Sequence, residues 1–383
     1  MHFSHSLIFA SLLACASQVA AVGVVGKAFG FAVGTTGGGS ATPVYPKDIK
    51  ELVSYLTDSS ARVIVLNKEY NFLGSEGKVT EKGCRPSSNT CPGKGGQDAI
   101  NGANWCNGQP SISVTYDKAG ISPINVKSNK SIIGLGSSGV IRGKGLRIAN
   151  GAQNIIIQNI HITELNPQYI WGGDAITIVG SDLIWIDHVK TSLIGRQHMV
   201  SGYAASNRIT ISNSEIDGNT SWSASCDNRH YWALLFIGQG DRITFAQNYV
   251  HHTSGRSPKI GGSGSGTIMH AVNNYFYDNS GHAFDIAETE SGRVVAEGNV
   301  FEKVKTPLLG GAKFMYAALD ATVNKLCKPQ FGHNCVSNLL KSSGTLTGSA
   351  TSYLGLFKGE VSPLMAADKV AASVKANAGV GKI

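Results

Sequence analysis

The chain carries little charge: Asp, Glu, Lys and Arg make up 15% of its 383 residues, against 42% hydrophobic residues. That balance excludes a coiled coil and a disordered chain. Aromatic residues are sparse as well, at 8%. No later apolar stretch approaches the roughly 20 residues that a membrane-spanning helix needs. The CxxC spacing with nearby His that zinc would want is missing, as is any HExxH arrangement. Glycine, by contrast, is plentiful, with 47 residues beside 11 Pro. Such a composition argues against a helix-dominated fold and demands frequent turns.

Residues 1–21 contain no Asp, Glu, Lys or Arg, and an apolar run from Leu7 to Ala16 leads to the small residues Val19, Ala20 and Ala21. This reads as a secretory signal peptide, with the mature chain beginning near Val22, although His2 and His5 stand where a Lys or Arg is usual. A membrane anchor is the rival reading, and the run is too short for one. The expectation is a secreted, soluble, extracellular protein with one domain over 22–383. Once Cys15 leaves with the leader, six cysteines remain, which in an exported chain suggests three disulfides. Cys84, Cys91 and Cys106 form a local group, Cys226 stands alone, and the isolation of Cys327 and Cys335 favours their pairing. The sequons Asn129-Lys-Ser and Asn219-Thr-Ser agree with export.

Internal repetition is the most informative feature. Six segments, NIIIQNIHI, LIWIDHVKT, NRITISNSEI, DRITFAQNYV, TIMHAVNNYF and RVVAEGNVF, run through β-branched alternation to a polar residue and resume. The polar positions are Asn159, His188, Asn213, Asn248, Asn274 and Asn299, separated by 29, 25, 35, 26 and 25 residues. Strand repeats of this period point to a solenoid; propeller blades need about 40 residues, and the Leu ladder of leucine-rich repeats is missing. The predicted fold is therefore all-β, a parallel β-helix in which the Asn row stacks at a bend that left-handed backbone angles suit. Helical spacing of Ile49, Leu52, Val53 and Leu56 after Pro46 predicts an N-terminal cap, and the Ala-rich stretch 363–378, stopped by Gly379, predicts a second helical cap near the other end. Residues 76–109 read as a cysteine-stapled loop rather than a strand pair. The longest separation leaves room for an excursion over 221–231, anchored by Cys226.

WGGDAIT (171–177), LIWIDHV (183–189), IGRQH (194–198), HHTSGRSPK (251–259), HAVNNYFYDNSGHAF (270–284) and KGLRI (144–148) resemble, in order, the fungal pectin lyases of the pectate lyase superfamily. The resemblance runs from about Ala41 to the C-terminus. It implies a right-handed parallel β-helix that cleaves methyl-esterified pectin by β-elimination, with no cofactor and no metal.

β-Elimination needs a proton acceptor for the uronate C5 hydrogen and cations for the charge that develops on the carboxyl group. Arg256 and Lys259, three residues apart in a turn-like SGRSPK, can hold two long cations over a groove. The spacing alone favours ordinary solvated cations on a basic protein, and the resemblance reverses that reading. By resemblance, Arg256 is the base while Arg196 and Lys259 stabilise charge; the alternative gives Lys259 the proton and makes Arg256 the clamp. Asp174 is either the ion-pair partner of Arg196 or a turn residue. Calcium-dependent pectate lyases place carboxylates where Arg196 stands, so a fixed cation here favours a neutral ester as substrate. Trp105, Trp171, Tyr231 and Trp232 are the candidate cleft aromatics, with Trp222 better suited to packing.

Competing functions have less support. GLGSSG (134–139) satisfies GxGxxG but lacks a following helix pattern. His251, His252, His270 and His282 read as hydrogen-bonded structural residues. A glycoside hydrolase would need paired acids, and the chain has no Asp-Asp. A calcium-dependent pectate lyase and a non-catalytic pectin binder remain the alternatives. The formal charge of +8 draws the protein towards partly acidic pectin, while a basic cluster for nucleic acid is absent. The expected form is a monomer.

Overall fold

The structure is a computed structural model describing residues 22–91, 95–262 and 266–383. The expected leader at 1–21 lies outside these residues. Ten strands stack in one all-parallel sheet from Pro43–Val44 to Met315–Ala317. Along it Ile132, Ile157, Ile186, Ile211, Phe245, Ala271, Ala296 and Ala317 lie in register, each buried, so the β-branched alternation of the repeats becomes one dry row. The other two faces of each coil belong to a 15-stranded sheet folded round a corner. The strand Tyr275–Ile286 is long enough to serve both faces. One face runs back through His161–Leu165; the other runs through Lys259–Ile260, Leu234–Phe236, Met199–Ser201 and Ile176–Val179. This is the predicted parallel β-helix.

The polar row is two rows. Asn159, His188 and Asn213 occupy the left-handed bend with φ of 57°, 51° and 45°, and from the next coil that place passes to Gln247, Asn273 and Gly298. Asn248, Asn274 and Asn299 sit one residue further on, in a true ladder in which each Nδ2 donates to the next Oδ1 and the series ends on Asn338, at 2.9–3.0 Å. The separation of 35 residues concealed this one-residue slip, because both places accept Asn for different reasons: one for its backbone angle, the other for its amide.

The N-terminal helix Ile49–Thr57 buries Leu52 and Leu56 in the main core. Its N-cap is Asp48, which accepts from Glu51 N–H, so Pro46 precedes the helix rather than entering its first turn. The C-terminal helix Ala367–Asn377 lies on the outer flank, where Val370 and Val374 pack on Tyr275 and Val300. The open face of the first sheet is covered by residues 22–43, whose backbone bonds to Thr210, Thr244 and Gln158.

The expectation of a loop over 76–109 is corrected. Lys78–Cys84 pairs antiparallel with Ser111–Asp117, and Asp98–Ala99 joins them in a four-stranded sheet. Charged Lys78, Glu81 and Lys82 mask the alternation that would have announced the strand. The disulfides are Cys84–Cys106, Cys91–Cys226 and Cys327–Cys335. The second ties the hairpin region to the 221–231 excursion. Asn129 and Asn219 are both exposed. After GLGSSG the chain forms the strand Val140–Arg142, not a helix.

Candidate active site

The site lies on the turns that enter the third face of the coils. Successive turns stack through backbone bonds: Ala175 N–H to Gln197 O (2.9 Å), His198 N–H to Ala233 O (2.8 Å), Leu234 N–H to Arg256 O (2.7 Å) and Ser257 N–H to Ala283 O (3.0 Å). Asp174, Arg196, Trp232, Arg256 and His282 therefore come from consecutive coils. Parallel strands about 4.8 Å apart set their spacing. Gly173 makes the first turn possible: its φ is 136°, and a Cβ there would lie 2.1 Å from the Gly120 carbonyl oxygen. Arg256 takes φ of 46°, a left-handed value seldom adopted by a long side chain. Its backbone N–H donates to His282 Nε2 at 3.0 Å. Burial pushes the His282 imidazole below its ordinary pKa, in keeping with the neutral ring that this acceptor role requires.

The three cations sit in different surroundings. Arg196 stacks 3.9 Å above the Trp171 ring and lies 3.9 Å from Asp174. Lys259 Nζ is 2.9 Å from Asp285, its neighbour in the strand register. Arg256 forms no ion pair within 4 Å among the described residues. Instead its guanidinium lies 4.7 Å from the Trp232 ring centroid and 5.8 Å from that of Tyr231, and its Nε is buried without a partner. Burial, joined by repulsion from Arg196, pulls its pKa below the usual arginine value, while Tyr231 and Asp285 oppose the shift. Burial likewise raises the Asp174 carboxyl, opposed by Arg196 and by the Gln197 N–H that donates to it at 2.9 Å.

The sequence candidates are largely brought together. Trp105, Trp171 and Trp232 gather in one cluster around Cys84, Ala99 and Ile170, and Tyr231 meets Trp232 edge-on at 4.9 Å. Trp222, expected to pack in the core, is 37% exposed and lines a separate cavity of about 650 Å³ with Lys78, Tyr116 and Glu164. Two residues, Gln97 and Asp285, escaped sequence reasoning, while His282 was read as a hydrogen-bonded structural residue. Buried Gln97 accepts from Trp232 Nε1 (3.1 Å) and donates to Gly195 O (2.7 Å), fixing the aromatic platform beside Arg196. Asp285 pairs Lys259, and His282 holds the Arg256 turn. Gln97 and Asp285 belong to no quoted motif, and His282, though inside 270–284, shows its contact with the Arg256 turn only once the coils are in register.

Calcium does not fit this donor set. The ion wants six to eight oxygens, and Asp174 has an arginine as its charged neighbour rather than a second carboxylate. Among the described residues, the one grouping with metal-ligand spacing is Glu215, Asp217 and His251 on another face. Lys190 already pairs with both of its carboxylates, at 2.9 and 3.2 Å.

A family profile described as "Pectate lyase" matches residues 99–383. The chain is 56% identical to a "Probable pectin lyase F" of Aspergillus niger, over 98% of this chain and 79% of the relative. It is 53% identical to "Pectin lyase B" of Emericella nidulans, over 97% and 98%. Among solved structures, a pectate lyase from a Bacillus species in complex with trigalacturonate superposes with a TM-score of 0.58 at 19% identity, covering 93% of this chain and 99% of that one. A Paenibacillus pectate lyase gives 0.59 at 14%, covering 93% and 96%.

Proposed function

The chain belongs to the pectate lyase family, and from that premise we propose the following reaction for it. It is a pectin lyase, an enzyme that cleaves esterified galacturonan by elimination. Arg256 takes the C5 proton of a galacturonate methyl ester. The C–H electrons form the C4–C5 double bond, the C4–O bond breaks, and the departing oxygen gains a proton. Arg196 and Lys259, each held by a carboxylate, face the ester carbonyl where negative charge grows. Asp174 orients Arg196. Trp105, Trp171, Tyr231 and Trp232 supply apolar faces for sugar rings.

One observation carries the assignment of roles. Of the three cations, only Arg256 lacks an ion-pair partner, and burial favours its neutral form. The pair of Lys259 with Asp285 at 2.9 Å supports a role for Lys259 in charge stabilisation. The Asp174–Arg196 neighbourhood, lacking an oxygen cage, supports catalysis without calcium on an uncharged ester. Three disulfides and two exposed sequons support export, with residues 22–383 acting as one domain and residues 1–21 as leader.

The test is absorbance of unsaturated product on highly methylated pectin and on polygalacturonate, each with and without chelator. Full activity on the ester in chelator is expected. Inhibition by chelator with rescue by calcium, or release of saturated sugars alone, would refute the proposal.

A further inference from the structure

The cavity of about 650 Å³ presents Trp222 together with Leu73, Lys78, Tyr116, Glu164 and Leu193. It shares no residue with the cavity of Trp171, Asp174 and Arg196. Two of its side chains are delivered by the same irregularity in adjacent coils. Thr163 pairs with Ser192 and Leu165 with Ile194, and between them Glu164 and Leu193 take φ of 59° and 52°. The left-handed step turns Glu164 and Leu193 towards the groove while Leu165 and Ile194 return to the core.

Trp222 comes from the 221–231 excursion, and its backbone is held. Its N–H donates to Thr220 Oγ1 and its carbonyl accepts from that hydroxyl, both at 3.1 Å. The next residue, Ser223, donates its N–H to Gly95 O at 2.8 Å, and Cys226 is bonded to Cys91. Unlike Trp171 and Trp232, the Trp222 ring has no cation stacked on it among the described residues. A ring left 37% exposed on a fixed loop is an apolar face already organised for a partner.

Charge separates this groove from the reacting cleft, which gathers Arg196, Arg256 and Lys259. Here Asp117 is occupied by the N–H groups of Gly74 and Ala119, at 2.5 and 3.1 Å, and Glu164 lies 3.7 Å from Arg142. No cluster of cations is present to draw an acid. The Lys78 ammonium and the Gln168 amide, without side-chain partners among the described residues, remain as donors for hydroxyl and carbonyl oxygens. An aromatic wall, balanced charge and free donors fit a neutral uronate ester, whose C–H faces and methyl group are apolar and whose oxygens accept.

We infer that this groove is a second, non-catalytic binding site for methyl-esterified galacturonan, with Trp222 stacked on a sugar ring. The inference rests on esterified pectin as the substrate and adds an anchor to it. A stretch of polymer held in the groove raises the local concentration of neighbouring units at the cleft. The groove therefore acts on affinity for long chains and leaves the chemical step alone.

Two measurements test this. In the first, kcat and KM are compared for wild type, Trp222→Ala, Trp222→Tyr and Tyr203→Ala, an exposed aromatic outside the groove, on long, highly methylated pectin and on short methylated oligogalacturonates. Trp222→Ala should raise KM on the polymer about tenfold, the equivalent of about 1.4 kcal/mol. Its kcat on the polymer and its kcat/KM on the oligomers should stay within about twofold of wild type. Trp222→Tyr should restore most of the polymer affinity, and Tyr203→Ala should change neither substrate. In the second, Arg256→Ala and the double variant Arg256→Ala/Trp222→Ala are applied to immobilised methylated pectin and to an immobilised β-glucan. The double variant should be retained about tenfold less on pectin, with no Trp222-dependent retention on the glucan. An unchanged polymer KM, equal losses on long and short substrates, or equal Trp222-dependent retention on both matrices would overturn the inference. So would a dimer of the native chain that dissociates on Trp222→Ala. If wild type cleaves no ester, the proposed reaction fails, while retention still reads the groove.

Discussion

Replacing Arg256 by lysine tests the proposed proton acceptor, because the cation stays and the planar group goes. In the native site the guanidinium plane is directed by Trp232 at 4.7 Å and by Tyr231 at 5.8 Å, while the bond from its backbone to His282 fixes the left-handed turn. An ammonium retains the turn but loses the stacked orientation, a contact of about 1 kcal/mol. The larger loss is the positioned base, for which about 10²–10⁴ in rate is typical, or roughly 3–5.5 kcal/mol of barrier. Lys259→Ala instead removes one electrostatic donor and leaves Asp285 unpaired, an expected loss of about 10²–10³ in kcat. The pH profiles separate the two roles. If Arg256 accepts the proton, Lys259→Ala shows the wild-type rise of activity with pH at a lower level. Arg256→Lys then moves the rise to lower pH, since an amine gives up its proton more readily than a guanidinium. The assay is product absorbance across pH. Arg256→Lys with full activity, together with Lys259→Ala with none, would refute the arginine-base assignment.

Two further predictions concern the scaffold. Asn274→Ala removes acceptance from Asn248 N–H and Nδ2 (2.9 and 3.0 Å) and donation to Phe245 O and Asn299 Oδ1 (2.7 and 2.9 Å). Buried groups left unpaired cost about 1–3 kcal/mol each, so a loss of at least about 2 kcal/mol in denaturant unfolding is expected, and a change below about 0.5 kcal/mol would show the ladder to be incidental. Buried His270 bridges Glu360 and Glu297, at 2.6 and 3.0 Å. Despite the opposing effect of burial, Glu360 and Glu297 raise His270 from 6.5 to about 10, and His270 and His333 hold Glu297 down from 4.5 to about 2. The His270 contribution to stability is complete below pH 6.5 and is lost as pH rises through about 10. That of Glu297 is complete above pH 4.5 and is lost as pH falls through about 2. Tm measured against pH should fall on both sides of that plateau; a steady rise from about pH 6 to pH 10 would contradict the bridge.

The repeats made the coils legible because a parallel strand buried on one side must alternate, and the alternation survives in sequence. The site motifs were legible in order because each turn of the candidate site follows its own strand. What stayed hidden depends on register. Lys259 and Asp285 are 26 residues apart and meet only because their strands pair at that step. Gln97 reaches Trp232 across a separation of 135 residues. The hairpin strand Lys78–Cys84 was obscured by its solvent-facing charges, and the change from Asn213 to Gln247 at the bend was masked by Asn248 next door.

Because Asp174, Arg196, Trp232 and Arg256 are supplied one per coil, the backbone ladder works as a measuring stick for a linear polymer. The connections on the remaining faces can lengthen, shorten or be exchanged without altering that scale. Inserting or excising a whole coil, however, would displace one functional group against another by a full graduation. A chain built in this way can vary its periphery freely while its reach along the polymer changes only in discrete increments.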